Sequence, residues 1–196
     1  MIIRIDSIEN YSDGEFEAMR LDMSAERQEK CLRYVRDADR KLCILADSIT
    51  RQAVSEYLNI PARKVVIERD ARGKPYIKNS GCFISYSHSG KFAAAAVSDK
   101  PVGIDTEEMR MVNPGSLRKF ASENEKRYVA DSAERFLALW TLKEAHLKCT
   151  GEGIRGNLKE IEFDFSGENP VSNIPGFEYI SEITDEYVLA VCLQKG

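Results

Sequence analysis

Residues 102–107 read VGIDTE and residues 136–149 read FLALWTLKEAHLKC. Alternation makes the first a strand, with Val102, Ile104 and Thr106 on one face and Gly103, Asp105 and Glu107 on the other. Its two carboxylates lie about 7 Å apart along the strand and can converge on a hard cation, or else form a polar face turned to water. Gly103 leaves room for a ligand to approach the backbone. The second stretch is a helix. On a wheel of about 100° per residue, Lys143 and Glu144 fall inside the apolar stripe of Phe136, Leu137, Trp140 and Leu147. A buried, unpaired charge costs on the order of several kcal/mol, so each needs a partner. Either they pair with other buried charges or reach solvent at the stripe's edge, or Glu144 meets a cation and Lys143 a phosphate or the carboxylates. Lys148, four residues beyond Glu144, adjoins the same site.

Working outward, strands are predicted at the start of the chain (IIRI), at 65–68, 82–87 and 92–97, and, beyond the motif, at 161–165, 177–181 and 187–193. A helix capped by Ser24 runs to about Tyr34, and a longer one spans about Asp37 to Leu58. Ala38, Leu42, Leu45, Ile49, Ala53 and Tyr57 set its three-or-four spacing, and Asn59 with Pro61 stops it. Further helix is predicted over Leu117–Asp131 and Ala133–Cys149. Strands and helices without regular alternation favour an α+β fold. The second half repeats the style of the first, which divides the chain into lobes 1–100 and 101–196, with the break near Asp99–Pro101.

Composition narrows the classes. The chain has 196 residues, 43% hydrophobic and 31% charged, with a formal net charge of −4. An acidic balance argues against a nucleic-acid binder. No apolar run approaches the ~20 residues that span a bilayer, and charges at Arg4, Asp6 and Glu9 argue against a signal peptide, so the expectation is a cytoplasmic protein. Five cysteines without a CxxC pair and only two histidines make a structural zinc site unexpected; the thiols read as reduced packing residues. From Met109 to Tyr128, Arg110, Arg118, Lys119, Lys126 and Arg127 outnumber Glu123 and Glu125, a local basic surface suited to an acidic partner or phosphates, or simply a solvated helix face. SYSHSGKF at 85–92 joins two strands through small residues, able to approach a phosphate closely, with His88 as an added donor. His146 reads as packing.

Taken in order, GKP at 73–75, SHSGKF at 87–92, VGIDTE at 102–107 and FLALWTLKEAHLKCTGEGI at 136–154 resemble successive blocks of the Sfp-like 4′-phosphopantetheinyl transferases, with SAERQEKCLRY at 24–34 as a weaker one. The specific element is GIDTE followed about 33 residues later by WTLKEAxxK. The resemblance implies two pseudo-twofold-related α+β lobes with coenzyme A between them. It maps Mg²⁺ ligands onto Asp105, Glu107 and Glu144, coenzyme A contacts onto Arg27, Lys30, Lys74, Ser87 and His88, and catalytic groups onto Glu144, Lys148 and Glu125. Ser85 stands where close relatives carry Asn. The implied reaction moves phosphopantetheine from coenzyme A to a serine of an apo acyl or peptidyl carrier protein. Glu144, Glu125 or a metal-bound hydroxide would deprotonate that serine, and Lys148 or His88 would support the departing phosphate. A monomer is expected. Rival readings are a metal-dependent nucleotide or coenzyme A pyrophosphohydrolase and a non-catalytic coenzyme A or carrier-binding module.

Overall fold

In the computed structural model, which describes residues 1–153 and 157–196, the longest element is α3, Asp37–Leu58. Its buried stripe includes Leu42, Leu45, Ile49 and Ala53, and Asn59 ends it in the left-handed conformation at φ 52°. It is preceded by β1 (Ile2–Ser7), α1 (Asp13–Leu21) and α2 (Ala25–Leu32), and followed by the short strands β2 (Ile67–Arg69) and β3 (Pro75–Ile77), then β4 (Phe83–Ser89) and β5 (Phe92–Ser98). The three main strands form an antiparallel sheet in the order β1-β5-β4. β5 reads FAAAAVS and is buried throughout; its small Ala93 and Ala95 join the core formed by Cys43, Ile44 and Leu45 of α3. These elements make up one compact unit, Met1–Asp99.

The second unit, Lys100–Gly196, contains β6 (Val102–Glu108), α4 (Glu123–Val129), α5 (Ala133–Thr150), the two-residue strands β7 (Phe163–Asp164) and β8 (Val171–Ser172), β9 (Phe177–Ile183) and β10 (Tyr187–Gln194). Its sheet order is β6-β10-β9, all antiparallel. Each unit therefore uses the same path: one strand, a long helix, then a hairpin whose last strand enters the middle of the sheet. The fold class is α+β. Within the second unit, Leu137, Leu142 and Ala145 of α5 share a core with Val188, Ala190 and Cys192 of β10.

Two sequence expectations need adjustment. The helix predicted over 117–131 is a 3₁₀ turn, Pro114–Lys119, followed by α4, because Ser122 and Glu125 form a capping box that starts a new helix. α1 was not predicted, although Ser12 and Glu15 form the same box. Ile154, which closes the longest motif block, lies outside the described residues.

Candidate active site

The site in the second unit begins with β6. Its register sets Gly103 opposite Cys192, Asp105 opposite Ala190 and Glu107 opposite Val188. Directly opposed residues share a sheet face, so both carboxylates lie on the face that α5 covers. Gly103 explains how closely α5 lies there. A Cβ at this position would stand 2.0 Å from the Ala145 carbonyl oxygen and 2.4 Å from the Cys149 nitrogen. The space read from sequence as room for a ligand is therefore filled by helix backbone. That contact at Ala145 and Cys149 sets the positions of their neighbours, Glu144 and Lys148.

Trp140, Glu144 and Lys148 recur every four residues and form one stripe along α5. At one end the Trp140 indole N–H donates to Glu107 Oε1 at 3.1 Å, while Arg110 donates to Glu107 Oε2 at 2.8 Å. Two turns on, Lys148 Nζ donates to Asp105 Oδ1 at 2.6 Å. Glu144 sits between these contacts, half-buried. Burial holds its carboxyl above the ordinary range; the negative charges of Asp105 and Glu107 add to this, and Lys148 opposes it. The all-oxygen, all-carboxylate donor set suits a hard divalent cation. Asp105, Glu107 and Glu144 fit such an ion chemically. As they stand, no three His, Cys, Asp or Glu side chains among the described residues are gathered closely enough to grip one, Asp105 and Glu107 being turned to N–H donors.

Lys143 and Glu125 do something else. Lys143 is fully buried, and its ammonium donates to Glu125 Oε2 at 2.7 Å, the Phe120 carbonyl at 2.7 Å and the Leu158 carbonyl at 2.9 Å. Of the two sequence readings for Lys143, pairing with a buried charge is the one observed. Glu125 was expected near the reacting groups. It is 1% exposed; its Oε2 also accepts the Ser122 N–H, and its Oε1 accepts the Phe163 N–H. The charges that shift Glu144 most are Asp105, Lys148 and Glu107. The pair is a brace tying α4, α5 and β7 together. His146 is buried, with Nδ1 2.7 Å from the Tyr179 hydroxyl, as expected of a packing residue.

In the first unit, Arg27 and Lys30 lie three apart on α2 and share a side of the helix. Arg27 is buried, 3.6 Å from Asp47, which also accepts from Arg51 at 2.7 Å. Lys30 is exposed and, with Glu26, Glu29, Arg33 and Tyr34, lines a hollow of ≈ 450 Å³. Ser87 and His88 follow one another on β4, so they leave on opposite faces; Ser87 is buried and His88 exposed. Arg69 was missed. Its guanidinium lies 5.6 Å from the Tyr86 ring centre, bonds the Tyr86 hydroxyl and donates to the Gly73 carbonyl at 2.6 Å, tying the loop before half-buried Lys74 to β4. No charge periodicity marks it; its proximity to Arg27 through Tyr86 is tertiary. A separate cavity of ≈ 600 Å³, lined among others by Tyr128, Phe163, Phe165 and Ser172, includes none of the three carboxylates.

Residues 101–192 match the family described as the 4′-phosphopantetheinyl transferase superfamily, and residues 10–100 match the one described as 4′-phosphopantetheinyl transferase, N-terminal. The 4′-phosphopantetheinyl transferase psf-1 of Bacillus pumilus is 31% identical over 175 residues, covering 83% of this chain and 74% of the relative. The chain belongs to the 4′-phosphopantetheinyl transferase family. A second relative in this family, the 4′-phosphopantetheinyl transferase Sfp of Bacillus subtilis strain 168, is 26% identical over 182 residues, covering 87% and 81% of the two chains. A holo-[acyl-carrier-protein] synthase structure from Thermotoga maritima matches 49% of this chain and 64% of that one, at 26% identity and a TM-score of 0.43. Among the described residues of this family member, no helix is long and apolar enough to cross a membrane.

Proposed function

We propose that the chain transfers 4′-phosphopantetheine from coenzyme A to a serine hydroxyl of an apo carrier protein, with Mg²⁺ bound by Asp105, Glu107 and Glu144. The observation that carries this reading is the alignment of Glu144 between the Lys148–Asp105 pair and Glu107, with its carboxyl held above the ordinary range. When bound, the ion would neutralise charge on the phosphoryl group. The chain's own groups do the rest. An ammonium has three donors, so Lys148 can hold Asp105 and a phosphate oxygen at once. That contact orients the pyrophosphate and offsets the charge that develops on the departing adenosine 3′,5′-bisphosphate. Glu144 takes the serine proton on its carboxylate as the new phosphate ester forms and the pyrophosphate bond to the adenosine bisphosphate breaks. Glu125 is left out of the chemistry, because both its oxygens are committed to the brace. Arg27, Lys30, Lys74 and His88 are assigned to coenzyme A phosphates, with Ser87 as a hydroxyl donor.

The test is incubation of the purified chain with coenzyme A, Mg²⁺ and an apo carrier protein, followed by the intact mass of the carrier. Gain of one phosphopantetheine per carrier is the expected result. Cleavage of coenzyme A without a carrier would point to a pyrophosphohydrolase, and binding without turnover to a non-catalytic module.

A further inference from the structure

Glu107 is held from two sides by groups of different character. On one side stands Trp140, whose N–H meets Oε1 at 3.1 Å. Its ring packs edge-on against Phe120, centres 5.1 Å apart at 73°. Phe120 is itself buried, and its carbonyl is fixed by the ammonium of Lys143. The indole is therefore set by a continuous chain of contacts, buried at Lys143, Glu125 and Phe120 and half-buried at Trp140, from the brace to the carboxylate. On the other side stands Arg110, 2.8 Å from Oε2, with half its side chain exposed. Its guanidinium end opens to water and can leave into it, whereas the Glu107 side chain is 15% exposed.

We infer that Trp140 is a positioning residue that fixes the direction of the Glu107 carboxylate, and that Arg110 is a displaceable counter-ion occupying the oxygen a divalent cation takes. The inference rests on the proposed role of Glu107 as a ligand. A carboxylate oxygen accepts more than one partner, so the indole can stay bound to Oε1 while Oε2 exchanges a guanidinium for the ion. Outer contacts of this kind set ligand direction and commonly carry about 10–100-fold in ion affinity. The two flanking residues should then act with opposite sign. Loss of the indole N–H frees the carboxylate to turn and weakens binding. Loss of the guanidinium removes a competitor and a repelling charge, and strengthens it.

The test is Mn²⁺ uptake by the full chain, followed by the paramagnetic resonance of free Mn²⁺, for wild type, Glu107→Gln, Trp140→Phe and Arg110→Gln. We expect Trp140→Phe to raise Kd about tenfold and Arg110→Gln to lower it about two- to fivefold, with thermal midpoints near wild type. Should Trp140→Phe fail to fold, benzothienylalanine at position 140 keeps the ring shape and removes only the N–H. If wild type takes up no ion, or Glu107→Gln binds as tightly as wild type, the ligand assignment of Glu107 itself falls. If Glu107→Gln weakens binding and loss of the N–H does not, the positioning role is overturned. If Arg110→Gln leaves Kd unchanged or raises it, the counter-ion role is overturned.

Discussion

Lys148 and Asp105, 43 residues apart, are joined by a 2.6 Å hydrogen bond that ties the last turn of α5 to the second unit's first strand. Because Asp105 is buried and Lys148 about a third exposed, the pair spans the boundary between core and solvent. Glu144 lies one turn before Lys148, so a strand and a helix that each carry awkward charges become one site when packed together.

That packing depends on Gly103. Substitution by Ala would drive a methyl group into the α5 backbone at Ala145 and Cys149, neither of which can rotate away. Gly103→Ala is expected to destabilise the chain by about 1–3 kcal/mol and to lower kcat as Glu144 and Lys148 shift from the strand. Denaturant unfolding and transfer kinetics check both. Unchanged stability would mean that the helix has slack here.

The Lys143–Glu125 brace makes a prediction about stability rather than chemistry. Removing one partner leaves a buried charge uncompensated, so Lys143→Met and Glu125→Gln should each cost about 3–5 kcal/mol. The double variant should cost clearly less than the two together, because the stranded charge is gone. Urea unfolding of the four proteins measures the coupling; strict additivity would show that the two do not act as a pair.

Glu144 links pH to stability. Its folded-state pKa is raised, chiefly by burial, so the native state binds this proton more tightly than the unfolded chain does. Its contribution is fully present below the ordinary glutamate value of 4.5 and is lost as pH rises through the raised value. Glu144→Gln should therefore melt on the order of 1–3 °C higher than wild type at pH 8, a modest figure because the group is partly solvated, with the gap closing towards pH 4. Scanning calorimetry across that range checks the sign; a variant less stable at pH 8 than at pH 4, relative to wild type, would reverse it.

Arg118 and Lys119 are exposed at the end of the 3₁₀ turn Pro114–Lys119, within the basic stretch from Met109 to Tyr128. Reversing both to Glu should raise KM for an acidic carrier about tenfold and leave KM for coenzyme A unchanged, with the effect shrinking as salt increases. Steady-state kinetics in each substrate separate the two constants. Equal KM values for the carrier would remove this surface from docking.

Much of the site's local geometry could be read in the sequence. Alternation placed Asp105 and Glu107 on one strand face, and helical spacing placed Lys148 beside Glu144. The bounds of α3 followed from its apolar spacing and Asn59. What could not be read was tertiary. Gly103 looked like an opening until the helix backbone was seen against it. Lys143 could be read either as a paired core charge or as an active-site cation because its partners, the Phe120 and Leu158 carbonyls and Glu125, lie 15 to 23 residues away in sequence. α1 buries only Phe16, so hydrophobic periodicity gave little signal there, although the capping pattern of Ser12 and Glu15 was legible.

The most direct test of the central claim is the rate at which a carrier protein gains phosphopantetheine mass with wild type, Asp105→Ala and Glu144→Ala, each verified as folded. If the strand–helix cluster is the catalytic centre, both variants should lose at least about a hundredfold in rate while remaining folded. Near-wild-type transfer by either folded variant would contradict it.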